Sequence, residues 1–142
     1  MKQLDTFLWA EKGMDAQPKC LRNFNGLDLD FCLHADSSRP PTVALIGDSH
    51  SNALFWGLSK HLAEQGQNLI NLGRGACIPF YDLESRYASG RDRCVNAMNG
   101  ALTYALETES VKTIILASRG TTYITNKSFG NMENSWGGAY SP

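Results

Sequence analysis

Ser49 lies where a serine nucleophile can work: within Gly47-Asp48-Ser49-His50, after the apolar run Thr42-Val43-Ala44-Leu45-Ile46 and before a helical pattern. A serine between a strand and a helix carries its hydroxyl at the strand's carboxyl edge, beside the first N–H groups of the helix. Those donors and the helix dipole favour negative charge, which a tetrahedral acyl intermediate develops on its oxygen. Serine and aspartate are also the usual helix caps. Position alone therefore does not separate a nucleophile at Ser49 from a capping role for Ser49 or Ser51. Asp48 adjoins the serine in sequence and reads as a brace of the turn, not as a triad acid. His50 is adjacent too; such neighbours rarely point the same way, so it reads as a supporting residue and not as the base. His61 falls on the apolar face of the following helix and reads as a packing residue, and His34 reads as exposed.

Cys20, Cys32, Cys77 and Cys94 form no C-x-x-C pair, and neither they nor the three histidines have the close ligand spacing of a metal site. Two disulfides fit better. Cys20–Cys32 and Cys77–Cys94 are the expected pairs, because each closes a short loop and contributes about 3 kcal/mol in the chain-entropy model. Two bridges imply an oxidising compartment; the alternative is four buried thiols in a cytosolic protein. The only early apolar run, Phe7-Leu8-Trp9-Ala10, is followed at once by Glu11 and Lys12. That run is too short for a signal-peptide core or a membrane span.

The elements that must position these residues follow from hydrophobic pattern. The chain has 142 residues, 42% hydrophobic and 19% charged, which suits one folded domain. A formal charge of −1, with no basic stripe, makes nucleic acid and anionic membrane poor partners. Residues 1–41 lack sustained periodicity and end in the loop Ser37-Ser38-Arg39-Pro40-Pro41. The run 42–46 reads as a strand buried on both faces. Leu54, Phe55, Leu58, His61 and Leu62 then define one face of a helix over 52–65, closed by Gly66. Leu69-Ile70-Asn71-Leu72-Gly73 is a second strand, followed by the loop Gly73–Pro79 and an irregular stretch over 80–91. Val95, Met98, Leu102, Tyr104 and Leu106 fit a helix from Cys94 to Glu109, and Val111 to Ala117 is a third strand. This alternation predicts an α/β fold, with helices on both faces of a parallel sheet. Ligands bind such sheets at the strands' carboxyl ends, so loops 47–52, 73–79 and 117–123 should share one edge.

The block Val43-Ala44-Leu45-Ile46-Gly47-Asp48-Ser49-His50-Ser51 resembles the first signature block of the SGNH hydrolases. More narrowly, it resembles the Gly-Asp-Ser-His version in extracytoplasmic domains fused to membrane acyltransferases of the acyltransferase-3 type. Paired cysteines before the strand, Gly75-Ala76-Cys77-Ile78-Pro79, Cys94, and a third strand running into Ala117-Ser118-Arg119 extend the resemblance over most of residues 18–123. It implies a three-layer, flavodoxin-like α/β/α domain over 42–142, incomplete at its C-terminus, preceded by a disulfide-bonded extension over 1–41. It also implies acyl transfer to, or hydrolysis from, cell-surface polysaccharide in the periplasm or outside the cell, without metal or organic cofactor. The partners it implies are a surface carbohydrate or acyl ester, and a membrane acyltransferase domain in a fused parent. Ser49 would be the nucleophile and its backbone N–H one oxyanion donor. The second-block glycine maps onto Gly75, with Gly73 as the alternative. Either glycine also serves a tight turn. The third block's asparagine has no counterpart in Arg119-Gly120-Thr121-Thr122-Tyr123. Arg119 either reaches the site or pairs with a nearby carboxylate.

The family's Asp-x-x-His block, which supplies base and acid, occurs nowhere in the sequence, and no histidine follows His61. An unactivated serine is a poor nucleophile. The expectation is the first part of an SGNH domain, with little activity by itself and with targeting upstream in the fused parent. A glycan-binding remnant is the non-enzymatic alternative. A flavodoxin-like domain with Ser49 and Ser51 as phosphate-contacting caps lacks the glycine-rich cradle and leaves the cysteines unexplained.

Overall fold

A computed structural model of the chain describes residues 18–83 and 91–120. The expectations for Phe7–Ala10, for 84–90 and for Thr121–Tyr123 lie outside the described residues. Helix α1 (Pro18–Arg22) leads into strand β1 (Phe31–His34) and then β2 (Val43–Gly47). Helix α2 (Ser49–Glu64), β3 (Leu69–Gly73), α3 (Arg91–Glu107) and β4 (Thr113–Ala117) follow. The sheet order is β1-β3-β2-β4. β2 is parallel to both of its neighbours, in the register Gly47↔Gly73 and Gly47↔Ala117.

Every residue of β2 and β3 is buried. Their alternate side chains feed two cores. Ala44, Ile46, Ile70 and Leu72 pack with Cys94, Ala97, Met98 and Ala101 of α3. Val43, Leu45 and Leu69 pack with Phe55 and Leu62 of α2. With a period of two along each strand, this places α2 and α3 on opposite faces, giving three layers.

Three expectations are corrected. First, the sheet is mixed and not wholly parallel: β1 pairs antiparallel with β3, Phe31 opposite Gly73 and His34 opposite Ile70. Second, α2 buries Ser51, Phe55, Ser59 and Leu62, while Leu54 is 52% exposed and His61 is also exposed. The buried serines satisfy themselves on their own helix: Ser51 Oγ donates to the Asp48 carbonyl (2.8 Å) and Ser59 Oγ to that of Trp56 (3.0 Å). Polar residues thereby enter the buried stripe, and the apolar pattern points to one side of it. Third, His34 is half-buried and not exposed; the Asn68 amide nitrogen lies 3.0 Å from its Nε2.

Both expected disulfides are present, Cys20–Cys32 and Cys77–Cys94, with Cα separations of 5.5 and 5.3 Å. One fastens α1 to the edge strand β1. The other fastens the loop after β3 to the start of α3. Among the described residues no helix is long and apolar enough to cross a membrane.

Candidate active site

The turn that bears Ser49 is built on a close approach of three strand ends. A Cβ on Gly47 would collide with the Ala117 carbonyl oxygen of β4, and one on Gly73 with the Gly47 carbonyl oxygen and the Phe31 ring. Asp48 follows in an extended conformation (φ −89°, ψ −162°) as the N-cap of α2. Its carboxylate is 1% exposed. Oδ1 accepts the His50 N–H at 2.8 Å, and Oδ2 accepts the Arg119 N–H at 2.9 Å. The Asp48 N–H donates to the Ala117 carbonyl at 3.3 Å. One side chain thus caps the helix and ties the turn to the residues just beyond β4.

Ser49 is the first residue of α2 and is exposed. Of the first three N–H groups of the helix, that of His50 goes to Asp48 Oδ1 and that of Ser51 to the Asp48 carbonyl (3.0 Å). The Ser49 N–H remains, and among the described residues neither it nor Oγ has a hydrogen-bond partner. A donor left open at a helix N-terminus is a place where negative charge can be stabilised.

The three loops at the carboxyl edge do converge. Arg74 N–H donates to the Gly47 carbonyl at 3.2 Å, and Arg119 N–H to Asp48. Gly75 is a different matter: its N–H donates to Asp30 Oδ2 at 2.8 Å and is directed toward the segment before β1. Gly73 lies in the ladder between Gly47 and Phe31. Arg119 reaches the turn through its backbone, and its residue is exposed.

Sequence reasoning missed Asp30 and Arg74. The Arg74 guanidinium, only 13% exposed, contacts Asp30 Oδ1 at 3.1 Å and the Asp28 carbonyl at 2.6 Å. Together they staple the chain before β1 against the loop after β3. Nothing in a pair of charges more than forty residues apart announces such a contact; only the short apolar run Phe31-Cys32-Leu33 hints that this segment enters the sheet.

Of the three histidines, only His50 is near Ser49. No hydrogen bond joins its ring to the serine; its Nδ1 lies 3.2 Å from Asp48 Oδ1. His61 stands at the far end of α2, its Nε2 3.0 Å from the Gln65 amide nitrogen. His34 lies at the opposite edge of the sheet, beside a cleft of about 420 Å³ between Phe24, Ile70 and Tyr104. Burial holds its imidazole below the ordinary value, opposed in part by the nearby Asp36 carboxylate. Among the described residues no three His, Cys, Asp or Glu side chains are grouped to hold a metal ion.

A family model described as SGNH domain (fused to AT3 domains) matches residues 19–140. No curated protein and no solved structure matches the chain.

Proposed function

The chain belongs to the family of SGNH domains fused to AT3 domains, and from that premise we propose that it carries acyl groups on Ser49. The family indicates a function of acyltransferase or esterase type, with a membrane acyltransferase domain as its partner in a fused parent. Beyond this, we read the acyl group as O-acetyl, the acceptor or donor as cell-surface polysaccharide, and the place as the periplasm or cell exterior. The two disulfides suit an oxidising compartment.

One observation carries the reading. Ser49 is exposed and has an open backbone N–H at the head of a sixteen-residue helix, on a turn where the N–H groups of Asp48, His50 and Ser51 are all occupied. A residue serving only as a cap would use its hydroxyl within the turn, as Ser51 does. The oxyanion donor in this reading is the Ser49 N–H; Gly75 joins it only if its N–H leaves Asp30.

No Asp-x-x-His block stands in the sequence to activate the serine, so residues 1–142 should turn over slowly. The test is treatment with excess 4-nitrophenyl acetate. Peptide mass spectrometry should find acetyl on Ser49, Ser49→Ala should remove it, and steady-state hydrolysis should stay near the uncatalysed rate. Acetylation spread over other residues and unchanged in Ser49→Ala would end the reading. Rapid, Ser49-dependent turnover would instead refute the claim that activation is lacking.

A further inference from the structure

The Asp48–His50 pair is more constrained than helix capping requires. Each oxygen of the buried Asp48 carboxylate accepts a backbone N–H, from His50 on one side and Arg119 on the other. The carboxylate therefore cannot swing. Its Oδ1 also lies 3.2 Å from Nδ1 of the His50 ring. Because both oxygens act as acceptors, Nδ1 must donate in this contact. The neutral ring then carries its lone pair on Nε2. The His50 side chain is 52% exposed, and no described residue hydrogen-bonds Nε2. A half-exposed imidazole with a fixed tautomer thus stands next to Ser49 at the head of α2.

We infer that His50 is the contact for the hydroxyl group that takes the acyl group from Ser49, its Nε2 accepting that hydroxyl's hydrogen bond. This rests on Ser49 being the nucleophile. The ring makes no hydrogen bond to Ser49 Oγ, so it is not placed to deprotonate the serine. It faces the solvent side, where a second substrate must arrive. A hydroxyl that donates to Nε2 keeps an oxygen lone pair for the acyl carbon. The oxygen-to-acyl-carbon bond forms, the bond from that carbon to Oγ breaks, and the hydroxyl's proton replaces the acyl group on Oγ. The acceptor class is accordingly a hydroxyl compound: a sugar, another alcohol or water.

The buried Asp48 carboxylate holds Nδ1 of the ring. The Arg74 guanidinium is turned away toward Asp30 and the Asp28 carbonyl.

The experiment follows the decay of acetyl-Ser49, formed with 4-nitrophenyl acetate, by intact mass at neutral pH with and without glycerol. The wild type should lose acetyl faster with glycerol. His50→Phe should lower the glycerol-dependent rate about tenfold, the factor one ordinary hydrogen bond represents. His50→Gln, whose amide oxygen can still accept, should keep part of the rate. Decay in His50→Phe at the wild-type rate, or no glycerol effect in the wild type, overturns the inference while leaving Ser49 in place. Absence of acetyl from Ser49 overturns the nucleophile reading and this one with it.

Discussion

Replacing Asp48 separates the two jobs its carboxylate performs. In Asp48→Ala the His50 N–H loses its cap, which costs about 1 kcal/mol. The Arg119 N–H loses its acceptor in a partly buried position, for about 1–3 kcal/mol more. The sum is about 2–4 kcal/mol, a large share of the roughly 5–15 kcal/mol available to a domain. At about 3–5 °C per kcal/mol for a chain of this size, the melting temperature should fall by about 6–20 °C. Asp48→Asn is the informative control. Asparagine caps helices well, so its oxygen can keep the His50 N–H while its amide nitrogen opposes the Arg119 N–H. It should fall between wild type and Asp48→Ala, and the difference between the two variants isolates the cap. Thermal denaturation followed by circular dichroism, under non-reducing conditions that keep both disulfides, measures all three. A melting temperature for Asp48→Ala within about 2 °C of wild type would show that the carboxylate does not join the turn to the end of β4.

Gly47→Ala should destabilise the fold by about 3 kcal/mol or more, because the added methyl meets the backbone carbonyl of Ala117, which cannot rotate away; urea denaturation measures it. The denatured, unreduced protein should show no free thiols, and Cys20→Ala with Cys32→Ala should cost about 3 kcal/mol, read by the same unfolding curves. His34 contributes a pH dependence of known sign. Its folded value is depressed, so the unfolded chain binds more protons and stability falls as pH drops from the imidazole's ordinary value through the folded one. His34→Gln should flatten unfolding free energy measured across that window, and an unchanged slope would assign the dependence elsewhere.

The central strands were legible because burial on both faces leaves an unbroken apolar run, as in Val43-Ala44-Leu45-Ile46, and few other structures use one. The disulfides were legible because short loops are the cheapest to close. β1 was not. Phe31-Cys32-Leu33-His34 has neither alternation nor length, and it becomes a strand by pairing with β3 across about forty residues. The face of α2 was misjudged by one position because Ser51 and Ser59 are polar in type but apolar in effect, each bonding its own helix carbonyl. A pattern read from hydrophobicity counts such a serine on the wrong side.

The same division runs through the site. Ser49 and Asp48 were readable because a strand-to-helix turn is a local object: its cap, its open N–H and its exposed hydroxyl all arise within about five residues. What holds the turn is not local. Asp48 is fixed by the Arg119 N–H, seventy-one residues away, and the loop bearing Gly75 is held by Asp30, forty-five residues away. The expected second oxyanion donor illustrates the consequence. Gly75 was placed by its order in a motif, yet its N–H is directed to Asp30 by a contact that no motif records. If that contact were loosened, by Asp30→Ala, the Gly75 N–H would be released, while Arg74 would keep its bond to the Asp28 carbonyl and the Cys77–Cys94 disulfide would still hold the loop. The position of Ser49 and the direction of the Gly75 N–H are therefore both set by residues that lie outside the motif.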